Sequence, residues 1–179
     1  MELAQLVEDC KKQQQQAQKA LFNRFSGALL SVCNRYLNDK VAAEAALLAG
    51  FLKIFQNLDG FNFEGEQKCY AWMKRIVVNE CLMELRKQQK FLFNTIEPSE
   101  ADVSEDGFKL SAFDTGIIIK AISALPEGFR TVFNLYVIEG FSHKEIAGIL
   151  SISESTSKSQ LNRAKAALRE QLQQYNFDR

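Results

Sequence analysis

Apolar residues recur at three- and four-residue spacing along most of this chain, and the breaks between those runs divide it into predicted helices. From residue 2 to about 37, Leu21, Phe22, Phe25, Leu29, Val32, Cys33 and Tyr36 mark one helical face. The Gln13–Gln16 run inside it reads as an exposed face, since four residues are too few for a low-complexity tail. Asn38-Asp39 interrupts the pattern, and a second helix follows from about Val41 to Leu58, ending at the turn signal Asp59-Gly60. Phe61 to Gln67, with Gly65 inside, reads as a loop. A third helix, from about Lys68 to Gln89, carries Tyr70, Met73, Ile76, Val77, Cys81 and Leu85 on one broad face.

Periodicity is lost from about Phe91 to Gly116, where Pro98, Gly107 and six acids predict a linker. Phe91, Leu92, Phe93, Phe108, Leu110 and Phe113 imply that parts of it dock on the domains or on a partner. Helical pattern resumes at Ile117 to Ala124. Leu125-Pro126-Glu127 then opens another helix, because a first turn tolerates the missing N–H of proline. Phe129, Val132, Phe133, Tyr136 and Val137 form its predicted core stripe, and Gly140 stops it.

Residues 142–172 carry the sharpest signal. Ser142 followed three residues later by Glu145 is a capping box, which predicts a helix Ser142–Leu150 with Ile146, Ala147 and Leu150 inward. Ser151-Ile152-Ser153 is the predicted turn, with Ile152 in the core. Ser153 then caps a helix to about Leu172 whose inner face holds Leu161, Ala164 and Leu168. Ala147 is small where two helices must cross closely, as a helix-turn-helix requires. The outer face of the second helix carries Ser155, Thr156, Lys158, Ser159, Asn162 and Arg163, short donors and cations of the kind a reading helix presents to base edges and phosphates. A solvated amphipathic helix is the competing reading.

Composition narrows the function. The scarcity of glycine and proline, nine and two residues in 179, favours helices over an all-β fold. Charge sums to zero but is unevenly spread. Bases predominate from Lys68 to Lys90 and again from Ser142 to Leu172, whereas acids predominate from Ile96 to Asp114. Cys10, Cys33, Cys69 and Cys81 form no CxxC pair and His143 is the single histidine, so neither a metal site nor a cofactor is expected. The scattered thiols read as reduced cysteines of a cytosolic protein, serving packing or a regulatory role. The N-terminus lacks the basic start of a signal peptide, and Glu44 and Lys53 break the richest apolar run, so a cytoplasmic location is expected. No phosphate loop or triad is present, which argues against an enzyme.

Three stretches resemble the extracytoplasmic-function branch of bacterial sigma-70 factors. Leu125 to Tyr136 looks like the first helix of the family's fourth region. Gly140 to Ala147, continued through Ile152-Ser153 and Thr156 to Ala164, looks like its promoter-reading helix-turn-helix. Gly50 to Leu58 followed by Tyr70 to Asn79 looks like the second region. The resemblance implies an all-α chain of two small helical domains: residues 1–90 for core polymerase and the −10 element, an acidic linker 91–116, and residues 117–179 for the −35 element. It implies a sigma factor whose partners are promoter DNA, RNA polymerase core and, as a candidate, an anti-sigma factor. By position, Ser155, Thr156, Lys158, Ser159, Asn162 and Arg163 are the −35 candidates. Lys68, Trp72, Lys74, Arg75, Asn79, Arg86 and Lys87, beside the Phe63–Gln67 loop, are the −10 candidates. Trp72 serves either to stack on a base or to fill the core. Leu47, Leu48, Phe51, Leu52 and Phe55 are the core-polymerase candidates.

The chain departs from the family pattern where the second helix usually shows an acidic, glutamine-bearing face. Here those positions read Ala45-Ala46-Leu47-Leu48-Ala49. The face therefore binds core through apolar contacts, binds another partner, or has lost core affinity, which would leave a stand-alone helix-turn-helix regulator. Ser151 stands where a turn glycine is common, and Ser157 where a β-branched apolar residue is common.

Overall fold

The computed structural model describes residues 2–88 and 115–177, and the chain divides into two compact units after Gln88. Apart from its last two residues, the linker expected over 91–116 lies outside the described residues. Thr115 and Gly116, assigned to that linker from sequence, are already helical.

The N-terminal unit is built from α1 (Leu3–Lys11), α2 (Gln15–Tyr36), α3 (Lys40–Asn57), a 3₁₀ turn Leu58–Gly60, and α4 (Glu66–Gln88). The single helix predicted over 2–37 is two helices. Gln13 takes a left-handed conformation at φ 56°, which ends α1 and lets α2 start in a new direction. Asp39 caps α3 by accepting a 2.7 Å hydrogen bond from the Ala42 N–H.

Helices α2, α3 and α4 pack on one another, and α1 packs on α2. Leu21, Leu29, Cys33, Tyr36, Ile54, Met73, Val77 and Cys81 fill the space between them. Helix α3 with its 3₁₀ turn is long and apolar enough to cross a membrane by composition alone. In this unit it instead buries Ala43, Ala46, Leu47, Phe51 and Ile54 against its neighbours. All four cysteines are buried and free. Burial pushes the Cys10 thiol up to about 11 and the Cys69 thiol up as well, which disfavours the reactive thiolate.

The C-terminal unit comprises α5 (Thr115–Ala124), α6 (Glu127–Phe133), a π-helical turn Asn134–Ile138, α7 (His143–Leu150) and α8 (Glu154–Phe177). Pro126 is the residue before α6 rather than its first helical position. The buried Arg130 guanidinium of α6 donates to the carbonyls of Ser123 and Leu125 at 3.2 and 3.0 Å, supplying partners to the end of α5.

The core stripe predicted to include Tyr136 and Val137 stops earlier, because those two residues are exposed. The Glu139 N–H reaches back five residues to the Asn134 carbonyl at 2.9 Å. Burial ends within this wider turn: Arg130 to Leu135 are all buried, and Tyr136, Val137 and Ile138 are exposed. Helices α5, α6 and α7 all pack on α8, whose buried face is Ser157, Gln160, Leu161, Ala164, Leu168 and Leu172.

Candidate nucleic-acid interface

The cap signals place α7 and α8. Ser142 Oγ accepts from the Glu145 N–H at 3.3 Å, and the Glu145 carboxylate accepts from the Ser142 N–H at 2.8 Å, closing the capping box. Ser151 turns the chain at φ 56°, and the Ile152 N–H then bonds to the Ala147 carbonyl at 3.1 Å. Ile152 is half-buried in this turn. Ser153 Oγ accepts from the Thr156 N–H at 3.0 Å and so caps α8. The helix runs to Phe177, past the predicted end.

On the outer side of α8, Ser155 and Lys158 are exposed, while Thr156, Ser159, Asn162 and Arg163 are half-buried. Helical geometry puts Ser155, Ser159 and Asn162 along the centre of that face, with Lys158 on one flank and Arg163 on the other. Three hydroxyls are less available than the sequence implied. Those of Ser155 and Thr156 each lie 2.8 Å from Ser153 Oγ within the cap, and that of Ser159 is enclosed. Lys165, seven residues after Lys158 and exposed, extends the cationic flank. In the sequence it stood out only as charge, although its spacing marked the face.

His143 begins α7. Its Nδ1 lies 2.9 Å from Ser157 Oγ on α8, and its ring stacks on Tyr136 with centroids 4.4 Å apart. Burial holds the imidazole below the usual pKa, and the nearby Lys158 acts in the same direction.

Five of the seven α4 candidates share one face. Lys68, Trp72, Arg75, Asn79 and Arg86 follow three-, four- and seven-residue spacing. Lys74 and Lys87 lie off that face, by roughly 120° and 100°. Lys68 is paired with Glu64, and Lys87 with Glu84 at 3.3 Å. Trp72 is half-buried and stacks on Phe61 of the preceding loop, with centroids 4.4 Å apart and planes inclined at 23°. It belongs wholly neither to the core nor to solvent.

Beside this face runs an open cleft of about 480 Å³ between α3 and α4, which brings together Trp72, Asn79 and Arg86. Its other walls include Lys53, Asn57 and Met83, none of them among the site candidates chosen from sequence. Lys53 Nζ lies 2.7 Å from the nearly buried Glu80 carboxylate, joining the two walls.

The apolar candidates on α3 separate into two sets. Leu47 and Phe51 are buried inside the unit and do not form part of its surface. Phe55 is half-buried, its ring centroid 5.9 Å from that of Phe51. Leu48 and Leu52 are 59% and 60% exposed, and Val41, at 75%, continues their line through the exposed Ala45. These four follow four-, three- and four-residue spacing, so they form one outward stripe. The five residues chosen from sequence spanned both faces of the helix.

The C-terminal unit is thus a helix-turn-helix with a polar, cation-flanked outer face, the design of a DNA-reading protein. Residues 21–91 match sigma-70 region 2, and residues 115–168 match sigma-70, region 4. The ECF RNA polymerase sigma-E factor of Escherichia coli K12 is 28% identical over 180 residues, covering 94% of this chain and 93% of that protein. The RNA polymerase sigma-H factor of Pseudomonas aeruginosa is 24% identical over 187 residues, with the same coverage of each chain. In fold, the chain matches the sigma factor RpoE from Bartonella quintana, solved in complex with the anti-sigma factor NepR. That match has a TM-score of 0.50 at 22% identity and covers 87% of this chain and 96% of that one. The chain belongs to the extracytoplasmic-function branch of the sigma-70 family. It is an RNA polymerase sigma factor that directs promoter recognition and transcription initiation. The stand-alone regulator is not favoured, since both sigma regions are present.

Proposed function

We propose that the outer face of α8 reads the −35 element and that the Lys68–Arg86 face of α4 engages the −10 element. Ser155, Thr156, Lys158, Ser159, Asn162 and Arg163 carry the first role, and Lys165 adds a phosphate contact. Lys68, Trp72, Arg75, Asn79 and Arg86 carry the second, and Lys74 and Lys87 contribute positive charge beside it. The observation that carries this reading is the outward polar face of α8, with Lys158 exposed on one flank and Arg163 on the other. Its cations supply sequence-independent affinity, and the Asn162 amide is the group freest to discriminate between bases.

The α3 stripe of Val41, Ala45, Leu48 and Leu52 is the proposed contact with core polymerase, made by apolar burial in place of polar pairing. The domain limits 1–90, 91–116 and 117–179 belong to the same proposal, as do a cytoplasmic location, a non-enzymatic role and an anti-sigma partner.

The test uses the full chain with purified core polymerase. Promoter-length duplexes selected from a randomised pool are used to compare wild type with Lys158→Ala/Arg163→Ala. Binding should weaken by about 1–3 kcal/mol for each base-reading side chain removed. Unchanged affinity would remove α8 from the interface. Leu48→Asp/Leu52→Asp should abolish core capture while leaving DNA binding by the free chain intact, and retained capture would place the core contact elsewhere.

A further inference from the structure

The hydrogen bond between α7 and α8 falls at a point where it governs how the reading helix is presented. His143 Nδ1 and Ser157 Oγ are 2.9 Å apart, and Ser157 has no exposed surface. The imidazole cannot easily follow a moving α8, because the Tyr136 ring lies against it, with centroids 4.4 Å apart and planes inclined at 22°. Tyr136 itself belongs to the π-helical turn, so the ring pair is tied to the wider turn that ends the α6 segment.

The rest of the buried face of α8 near this point is Leu161 and Ala164, with Gln160 as the other polar group. Apolar contacts are non-directional and tolerate a small roll of a helix about its own axis. A hydrogen bond is directional and weakens steeply as its angle closes. A roll of α8 too small to uncover Leu161 and Leu168 still turns the Ser157 hydroxyl off the imidazole and leaves it buried with no partner. The same roll would displace Ser155 and Asn162 sideways at the centre of the outer face. A backbone-following contact from flexible lysines survives a small roll, whereas a base contact does not.

We infer that His143 and Ser157 are a positioning pair that sets the roll of α8, and through it which bases the helix reads rather than how tightly it holds DNA. The inference rests on α8 being the promoter-reading helix. His143 and Ser157 touch no DNA themselves and act through Ser155 and Asn162.

The experiment begins with the full chain and core polymerase, selecting a binding sequence from a pool of randomised duplex DNA. If wild type selects no sequence, the promoter-reading assignment of α8 falls first, and this inference falls with it. If a sequence is selected, the affinity ratio of selected to scrambled duplex is measured for each variant. Ser157→Val should keep the affinity for scrambled duplex and its salt dependence, while the ratio drops about tenfold, the cost of one good base contact. Ser157→Thr, which retains the hydroxyl, should restore the ratio. His143→Asn keeps a side-chain hydrogen-bonding group where Nδ1 lies and should resemble wild type in ratio more closely than His143→Phe, which keeps only the ring stacking. An unchanged ratio in Ser157→Val, or equal losses in Ser157→Val and Ser157→Thr, would overturn the inference.

A measurement on the wild-type chain covers the case in which the valine variant fails to fold. His143 is the single histidine in the sequence, so its ring nitrogens give one isolated set of NMR resonances. One fixed tautomer with a hydrogen-bonded Nδ1 is expected. Rapidly averaging tautomers would overturn the proposal.

Discussion

Gly50 of α3 lies directly against Val77 of α4: a Cβ built on Gly50 would come within 2.7 Å of Val77 Cγ2 and 3.4 Å of its Cα. The two helices approach so closely because one of them has no side chain at the crossing. The cleft that holds Trp72, Asn79 and Arg86 opens between the same two helices, so their spacing bears on the proposed −10 face.

Gly50→Ala should therefore destabilise the N-terminal unit despite the better helix propensity of alanine. Overpacking costs about 1–3 kcal/mol and propensity returns at most about 1. The check is urea unfolding of Gly50→Ala, Val77→Ala and the double variant. The double variant should cost less than the sum of the single changes, because removing Cγ2 vacates the space the new methyl needs.

Gln160 sets up the opposite case. Its side chain is wholly buried, and neither amide atom has a hydrogen-bond partner among the described residues. It fits beneath α6 because Gly128 leaves room, with its Oε1 3.3 Å from where a Cβ would stand. Gln160→Met has nearly the same shape without the polar atoms and should stabilise the C-terminal unit by about 1 kcal/mol. An unraised thermal midpoint would mean that the amide has a partner outside the protein.

Ser151 holds the turn at φ 56°, a left-handed conformation that costs a residue with a Cβ about 1–2 kcal/mol. Ser151→Gly removes that strain but frees the unfolded chain, so a net gain of about 0.5–1 kcal/mol is expected. Differential scanning calorimetry should show a higher midpoint and no change in DNA affinity.

Stability should also depend on pH through His143. Burial first, and Lys158 and Lys165 next, lower its folded pKa below the usual 6.5, with Glu154 opposing them. Between the folded value and 6.5 the unfolded chain binds the proton more readily, so acid favours unfolding there. The contribution is fully present above the unfolded value and is lost as pH falls through 6.5 toward the folded one. Thermal unfolding of wild type and His143→Gln at about pH 7.5 and 5.5 isolates this term. The wild type should lose more stability on acidification than the variant does.

Much of the molecule could be read from local chemistry. The capping box at Ser142 and Glu145, the Asn38-Asp39 break and the Asp59-Gly60 stop depend on groups within four residues of one another, so the sequence shows them directly. The inner face of α8 followed from its period, and so did the shared face of five of the seven α4 candidates, because a regular helix carries its spacing into space. Regularity failed at two points. Gln13 bends the chain without glycine or proline to announce it, and the α-helical period is lost in the wide turn Asn134–Ile138, where Tyr136 and Val137 face outward.

By itself, the order of residues determined most of the helices, the caps at Ser142 and Ser153 and the helix-turn-helix, since each rests on short-range periodicity and hydrogen bonding. Only packing in three dimensions decided which side of α3 was left uncovered, sending Leu47 and Phe51 inward and Leu48 and Leu52 outward. Only packing joined His143 to Ser157 across fourteen residues and opened a cleft between α3 and α4. The reason is physical: a side chain's neighbours along a helix are set by the repeat, but its neighbours across helices depend on how whole faces fit together.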